Sequence, residues 1–424
     1  MLEAILDRRN VERAFKQVLS NKGACGVDGM QVDELRHTLD TQWQTLRASI
    51  MEGSYKPQPV RRVEIPKPQG GKRMLGIPTV TDRLIQQCIN QALNPMQDAR
   101  FDSWSYGFRP KRNAHQAVLQ AQSFLEQGYA WVVELDLAKF FDKVNHDKLM
   151  GILMKTIEDK RVLKLIRSYL TTGIMEGGLV SQRTEGTPQG SPLSPLLSNI
   201  VLNELDMELR KRGHCFVRYA DDCTIYVKSE KAAMRVAGSI IKYIEEELKL
   251  QVNREKTRVG KASESSLLGY SFYNDKGKWQ PRLSVQTRER IKKKCREIIR
   301  RSDGKSQQEQ IKQLQAVIVG WVNYFILAKA KRVLLELDKM VRTRLRIGKW
   351  KNWKRPKTRV RELMRLGISK AQAYMWGNSS KGYCRIAHSP ILHRTLDNEH
   401  WRSAGYKGFA ETYRERKELQ TSLF

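Results

Sequence analysis

Residues 216–227 read FVRYADDCTIYV, with β-branched and aromatic runs on either side of two adjacent aspartates. The pattern is that of a β-hairpin with acids in its turn, so the chain has to build an antiparallel sheet. Asp221 and Asp222 raise each other's cost of ionising, which suits a turn that meets a cation. Another acid, Asp136, closes the strand-like part of VVELDLAKFFD. Carboxylates gathered by such strands bind hard divalent cations through oxygen and leave coordination positions for phosphate oxygens and water. Two ions about 3.5–4 Å apart can activate a 3′-hydroxyl and stabilise departing pyrophosphate, which is phosphoryl-transfer chemistry. Taken singly, an Asp-Asp pair in a turn is ordinary turn chemistry. The rest of the chain has to decide.

Its 77 lysines and arginines exceed its 45 acids by 32 over 424 residues. That excess goes far beyond what solubility needs and points to a polyanion, nucleic acid first. A membrane fits poorly, because there is no run of about 18 apolar residues and MLEAILDRRNVERAF does not read as a signal peptide. A cytosolic protein is expected. Residues 281–424 carry 35 bases and 12 acids, whereas residues 1–280 carry 42 and 33, so a compact front part should precede a more basic back part. Cys25, Cys88, Cys215, Cys223, Cys295 and Cys384 are scattered without a CxxC pair and read as reduced thiols.

Along the chain, RRVEI and RMLGI are expected as strands of a hairpin around PKPQGGK. TDRLIQQCINQAL has helical spacing with Thr81 or Asp82 as its cap, and a further helix should start with Ser194 as N-cap and Pro195 in the first turn. KAAMRVAGSIIKYIEEELKL follows the acidic hairpin as a helix, and SLLGYSF is strand-like. This irregular order of helices and strands indicates an α+β domain. Beyond residue 285 helical patterns dominate, one of them running through residues 310–347 with Ile311, Leu314, Ile318, Trp321, Val322 and Phe325 on one face.

LDLAKFFD, TPQGSPLSPLLSNI, RYADD, VNREKT and LLGYSF, in that order, resemble the successive blocks of a reverse transcriptase palm. IPKPQGGKRMLGIPTVTDRLIQQ and SYGFRPKRNAHQA resemble the fingers blocks of group II intron reverse transcriptases and maturases, and the likeness continues through GWVNYF and SPILHRTL. It implies a right-hand polymerase fold: fingers and palm with an antiparallel sheet, then an α-helical thumb and a basic C-terminal nucleic-acid-binding region. The expected divisions are 1–130 for the N-terminal extension and fingers, 131–280 for the palm, 281–345 for the thumb (domain X) and 346–424 for the C-terminal region.

By the same resemblance Asp136, Asp221 and Asp222 are the catalytic acids. With Leu137 they bind two Mg²⁺ ions, for which Mn²⁺ could substitute. Phe141, five residues after Asp136, is the expected gate that excludes a 2′-hydroxyl, with Phe140 as second choice. Lys67 and Arg73 are expected to grip the triphosphate, as a point charge and a fork suit phosphate. Gln189 and Gly190 should lie beside the nascent base pair; Ser191 stands where many relatives have a second glycine. Lys256 is a candidate proton donor to pyrophosphate. Residues 342–361 hold ten bases, no acid and two tryptophans, a pattern for phosphate contact and base stacking. Arg342, Arg344, Arg346, Lys349, Trp350, Lys351, Trp353, Lys354, Arg355, Lys357, Arg359 and Arg361 are the candidate nucleic-acid contacts.

The resemblance implies an RNA-directed DNA polymerase whose partners are group II intron RNA, an RNA template with a DNA or RNA primer, target DNA and dNTPs. No membrane is expected as a partner, and monomer and dimer both stay open. It also implies a bacterial, nucleoid-associated protein. His388, His393 and His400 lack the paired CxxC elements of an HNH endonuclease, so the expectation is a class C type protein without that domain. Two rival functions are a binding-only splicing maturase and a domesticated relative in host defence or DNA repair. The intact acids and PQG argue against the first, and the absence of altered blocks or fusions argues against the second.

Overall fold

The hairpin at 216–227 forms as its residues require. In the computed structural model, which describes all residues except 67–70, 177–178, 182–183, 301–303 and 422–424, ten strands occur among the described residues. They are β1 (Val60–Pro66), β2 (Lys72–Ile77), β3 (Trp131–Leu135), β4 (Ile174–Glu176), β5 (Leu179–Ser181), β6 (Cys215–Tyr219), β7 (Asp222–Val227), β8 (Arg258–Lys261), β9 (Tyr270–Asp275) and β10 (Lys278–Leu283). The chain divides into two compact units, Met1–Ser265 and Ser266–Phe424.

In the first unit β6, β7, β3 and β8 form one antiparallel sheet in that order. Alternation along β3 and β7 buries Val133, Leu135, Cys223 and Ile225, and each fully buried aliphatic contributes about 1.5–3 kcal/mol. The helix Glu230–Glu246 is capped by Ser229 and packs Val236, Ala237, Ile240 and Ile244 into the same core. A second sheet runs β2, β1, β4, β5, antiparallel except where β1 meets β4.

Two helix starts differ from expectation. The helix Val80–Asp98 begins ahead of Thr81: the cap is Thr79, whose Oγ1 accepts from Asp82 N at 3.1 Å and donates to Asp82 Oδ2 at 2.7 Å. Asp82 is thus inside the helix, also receiving Tyr55 Oη at 2.6 Å. Ser194 is the first helical residue of Ser194–Lys211 and not its cap, because its hydroxyl donates to Pro188 O at 2.8 Å.

The second unit holds the β9/β10 hairpin followed by helices. The pattern expected through 310–347 breaks into Gln307–Tyr324, with a Ser306/Glu309 capping box, and Lys331–Asn352. Ile311, Leu314, Ile318 and Val322 are buried as the spacing required, while Trp321 and Phe325 are half-buried. Asp338 reaches from the second of these helices to the start of Phe409–Thr421, accepting from Phe409 N at 2.7 Å, Ala410 N at 3.0 Å and Tyr406 Oη at 2.8 Å. A carboxylate at a helix N-terminus satisfies orphan amides and opposes the helix dipole. Among the described residues, no helix is long and apolar enough to cross a membrane, and the six cysteines are free.

Candidate active site

Strand register brings the acids to one place. Leu135 pairs with Cys223 across β3 and β7, and Tyr219 pairs with Asp222 across β6 and β7. Asp136 therefore follows β3 at the sheet end where Asp222 begins β7, with Ala220 and Asp221 forming the turn between. The VNREKT segment is bound to the end of β3: Asn253 N donates to Asp136 O at 2.8 Å, Asp136 N donates to Thr257 Oγ1 at 3.3 Å, and Leu137 bridges to Val252. This turn brings Lys256 Nζ to 3.7 Å from Asp136 Oδ2.

The field at this end is negative. Lost hydration, then repulsion by Asp221, Asp136 and Glu134, pushes the Asp222 carboxyl up to about 6, with Lys256 opposing. Among the described residues no three His, Cys, Asp or Glu side chains stand together as a finished metal cage. The donors nonetheless fit a hard divalent cation: they are carboxylate oxygens in a field that a cation would relieve, with the buried Cys223 behind them on β7.

The segment after Asp136 pairs with the PQG loop. Thr187 N donates to Phe141 O at 2.6 Å, Gly186 N donates to Val144 O at 2.7 Å, and His146 Nε2 lies 2.7 Å from Gly186 O. Phe140 is buried and Phe141 half-buried against it, the rings edge-on at 5.4 Å. Gln189 O accepts from Gly76 N of β2 at 2.9 Å. Gly190, at φ 117, occupies backbone space where a Cβ would stand 3.2 Å from Gly76 O. Ser191 Oγ donates to Gln86 Oε1 at 2.5 Å and accepts from Leu193 N at 3.2 Å, so the serine ties the loop to the helix Val80–Asp98. Arg73 falls on the same β2, opposite Ile65. Lys67 lies outside the described residues.

Sequence reasoning missed what stands behind the acids. Arg218 and Asp206 are both fully buried, and the guanidinium donates to both carboxylate oxygens at 2.5–3.0 Å and to Asn199 Oδ1 at 2.9 Å. An arginine next to a metal-type motif in so basic a chain reads as one more surface charge. The available signal was the apolar run around it, which makes Arg218 an inward-facing position on β6.

The basic stretch 342–361 needs a correction. It spans the end of Lys331–Asn352 and the start of Pro356–Arg365. Trp350 and Trp353 are 1% and 5% exposed, so their rings are core packing and offer no face to a base. Arg346 is also buried, donating to Leu396 O at 3.1 Å with Nη1 3.3 Å from His393 Nε2. Trp350 stands three residues after the buried Ile347, and Trp353 three after Trp350, and this spacing was the signal for burial. Arg344, Lys351, Lys354, Arg355, Lys357 and Arg361 are exposed; Arg342, Lys349 and Arg359 are half-buried, Arg359 lying over Trp350 at 4.8 Å.

Residues 65–272, which include this antiparallel sheet, the three acids and the PQG loop, match the family model described as reverse transcriptase (RNA-dependent DNA polymerase). Residues 288–367 match the maturase-specific domain of group II introns. The chain belongs to the group II intron reverse transcriptase and maturase family, and its activity class is RNA-directed DNA polymerase. It is 33% identical to Protein YkfC of Escherichia coli (strain K12) over 68% of this chain and 86% of that protein. It is 30% identical to the group II intron-encoded protein LtrA of Lactococcus lactis subsp. cremoris over 61% of this chain and 54% of LtrA. Among solved structures, telomerase from Candida albicans with a fragment of telomeric RNA aligns over 80% of this chain and 70% of its own at 13% identity and TM-score 0.44.

Proposed function

We propose that the chain copies intron RNA into DNA from a primer at the target site, as in retrohoming, and that it binds the same RNA as a maturase to assist splicing. The observation that carries this reading is the convergence of Asp136, Asp221 and Asp222 at one sheet end beside the PQG loop. Asp136, Asp221 and Asp222, with Leu137 alongside, would hold two Mg²⁺ ions. When bound, such ions lower the pKa of a 3′-hydroxyl and neutralise charge on the departing pyrophosphate. The chain's own residues do the rest. Phe141 excludes the 2′-hydroxyl, Gln189 and Gly190 flank the nascent pair, Lys67 and Arg73 hold the triphosphate, and Lys256 supplies a proton to pyrophosphate. The exposed bases of 344–361 hold RNA by its phosphates, and target DNA and the nucleoid are the expected surroundings.

The test is primer extension on an RNA template with Mg²⁺ and dNTPs. Asp221→Asn should abolish extension and leave RNA affinity within about twofold, since one rim charge contributes little to a polyanion contact. Extension that survives this change would show the acids to be misassigned. Self-splicing of the cognate intron at low Mg²⁺, with and without the protein, tests the maturase part.

A further inference from the structure

The acidic turn is held in an unfavourable shape from behind. Ala220 has φ 57, the left-handed region that a residue with a Cβ occupies only when its surroundings impose it. Arg218 Nη1 donates to Ala220 O at 3.0 Å while the same nitrogen donates to Asn199 Oδ1 at 2.9 Å. Asn199 in turn donates to Gly107 O at 2.9 Å. The segment 104–107 runs along β6, with Arg218 N donating to Trp104 O at 3.0 Å and Tyr106 N donating to Arg218 O at 2.9 Å. Gly107 presses on the turn so closely that a Cβ there would stand 2.2 Å from Ala220 N. The one guanidinium thus ties together Asp206 on the helix Ser194–Lys211, Asn199 on the same helix, and the carbonyl of the residue before Asp221.

We propose that Arg218 is a positioning residue: its guanidinium, fixed by Asp206 and Asn199, holds the Ala220 carbonyl and so fixes the strained turn that aims Asp221 and Asp222 at the cations. Arg218 touches neither substrate nor ion and acts through the turn. The proposal rests on the polymerase reading of the acids given above. It accounts for an arginine at this buried position, where an aliphatic side chain would pack without needing a counter-charge. A lysine would keep the charge opposite Asp206 but, with one ammonium, could not fork to Asp206, Asn199 and Ala220 together.

The experiment compares the full chain with Arg218→Lys and with Leu153→Ala, a fully buried core change that lowers stability and removes none of the hydrogen bonds described above. Hydrogen–deuterium exchange over residues 219–223 and Mn²⁺ binding by electron paramagnetic resonance are read alongside the denaturation midpoint and the kcat and KM for dNTP. Arg218→Lys should speed exchange in the turn and weaken Mn²⁺ binding by about 10- to 100-fold, the usual effect of losing a group that orients metal ligands, with kcat reduced and KM little moved. Leu153→Ala should show none of these at a comparable midpoint. Should Arg218→Lys fail to fold, Asn199→Ala removes one partner of the guanidinium and carries the same expectation in milder form. Wild-type exchange and Mn²⁺ affinity in a folded variant would overturn the proposal. Asp221→Asn serves as the separate control: if it retains polymerase activity, the reading of the acids fails, whereas its loss together with an unaltered Arg218→Lys sinks the positioning role alone.

Discussion

Lys256 Nζ lies 3.7 Å from Asp136 Oδ2, an ion pair between a lysine 66% exposed and a carboxylate 32% exposed. A cation that binds Asp136 has to compete with that ammonium. Exposed pairs of this kind contribute about 0.2–1 kcal/mol, so Lys256→Met should lower the half-saturating Mg²⁺ concentration about 1.5- to 5-fold. If the lysine also protonates pyrophosphate, the maximal rate should fall by about 100-fold or more. A Mg²⁺ titration of primer extension at saturating dNTP reads both quantities, and an unchanged Mg²⁺ requirement would show that Lys256 does not compete.

Phe140 and Phe141 differ in burial, and so should their alanine variants. Phe141→Ala should admit ribonucleotides, reducing discrimination against them by about 10- to 100-fold, as expected for removing a steric wall of a few carbons. Phe140→Ala should leave sugar selectivity alone and cost about 3–5 kcal/mol of stability, because its ring is 3% exposed in the core. Competition between dNTP and rNTP in single-nucleotide extension separates the two. Unaltered selectivity in Phe141→Ala would move the gate elsewhere.

For RNA, the surface charges and the buried rings of 342–361 make opposite predictions. Replacing Lys351, Lys354 and Lys357, all exposed, by glutamine should weaken binding and flatten its salt dependence by about 0.7–0.9 in log–log slope for each phosphate no longer neutralised. Trp350→Ala should instead reduce stability by about 3–5 kcal/mol, and its loss of RNA binding should track the unfolded fraction. Affinity measured across a range of salt, alongside denaturation, decides this. A stably folded Trp350→Ala with selectively weakened RNA affinity would restore stacking.

The strands and the acids were legible because both are written locally: runs of β-branched and aromatic residues mark β3, β6 and β7, and an Asp-Asp turn between strands is hard to hide. Antiparallel register then carries Asp136 to Asp222 without further information. What was not legible depends on partners distant in sequence. Arg218 and Asp206 neutralise each other only after the helix Ser194–Lys211 docks behind β6, and Ser194 loses its capping role to a loop carbonyl. Trp350 was misread because composition, ten bases in twenty residues, outweighed the 3–4 spacing that places its ring inside. Charge density describes a segment; periodicity describes a face, and burial follows the face.

Asp159 supplies a pH signature of the first unit. It caps the helix Lys160–Thr171 by accepting from Arg161 N at 3.1 Å, pairs with the Arg161 guanidinium at 3.0 Å, and accepts from Leu2 N at 3.0 Å. The Arg161 contact above all, with these amides, holds its carboxyl well below the usual carboxylate range. A folded pKa depressed below the unfolded value of about 3.9 means that the stabilisation is present in full above that value. It is lost as the pH falls toward the folded pKa. Asp159→Asn keeps a capping oxygen but loses the charge opposite Arg161 and at the helix N-terminus, so it should be less stable than wild type by about 0.3–1 kcal/mol from pH 8 down to about 5. The difference should shrink below about pH 4, as the wild-type carboxylate takes up its proton. Urea denaturation across this series checks the sign: a gap that widens on acidification would mean that Asp159 is stabilised as the neutral acid.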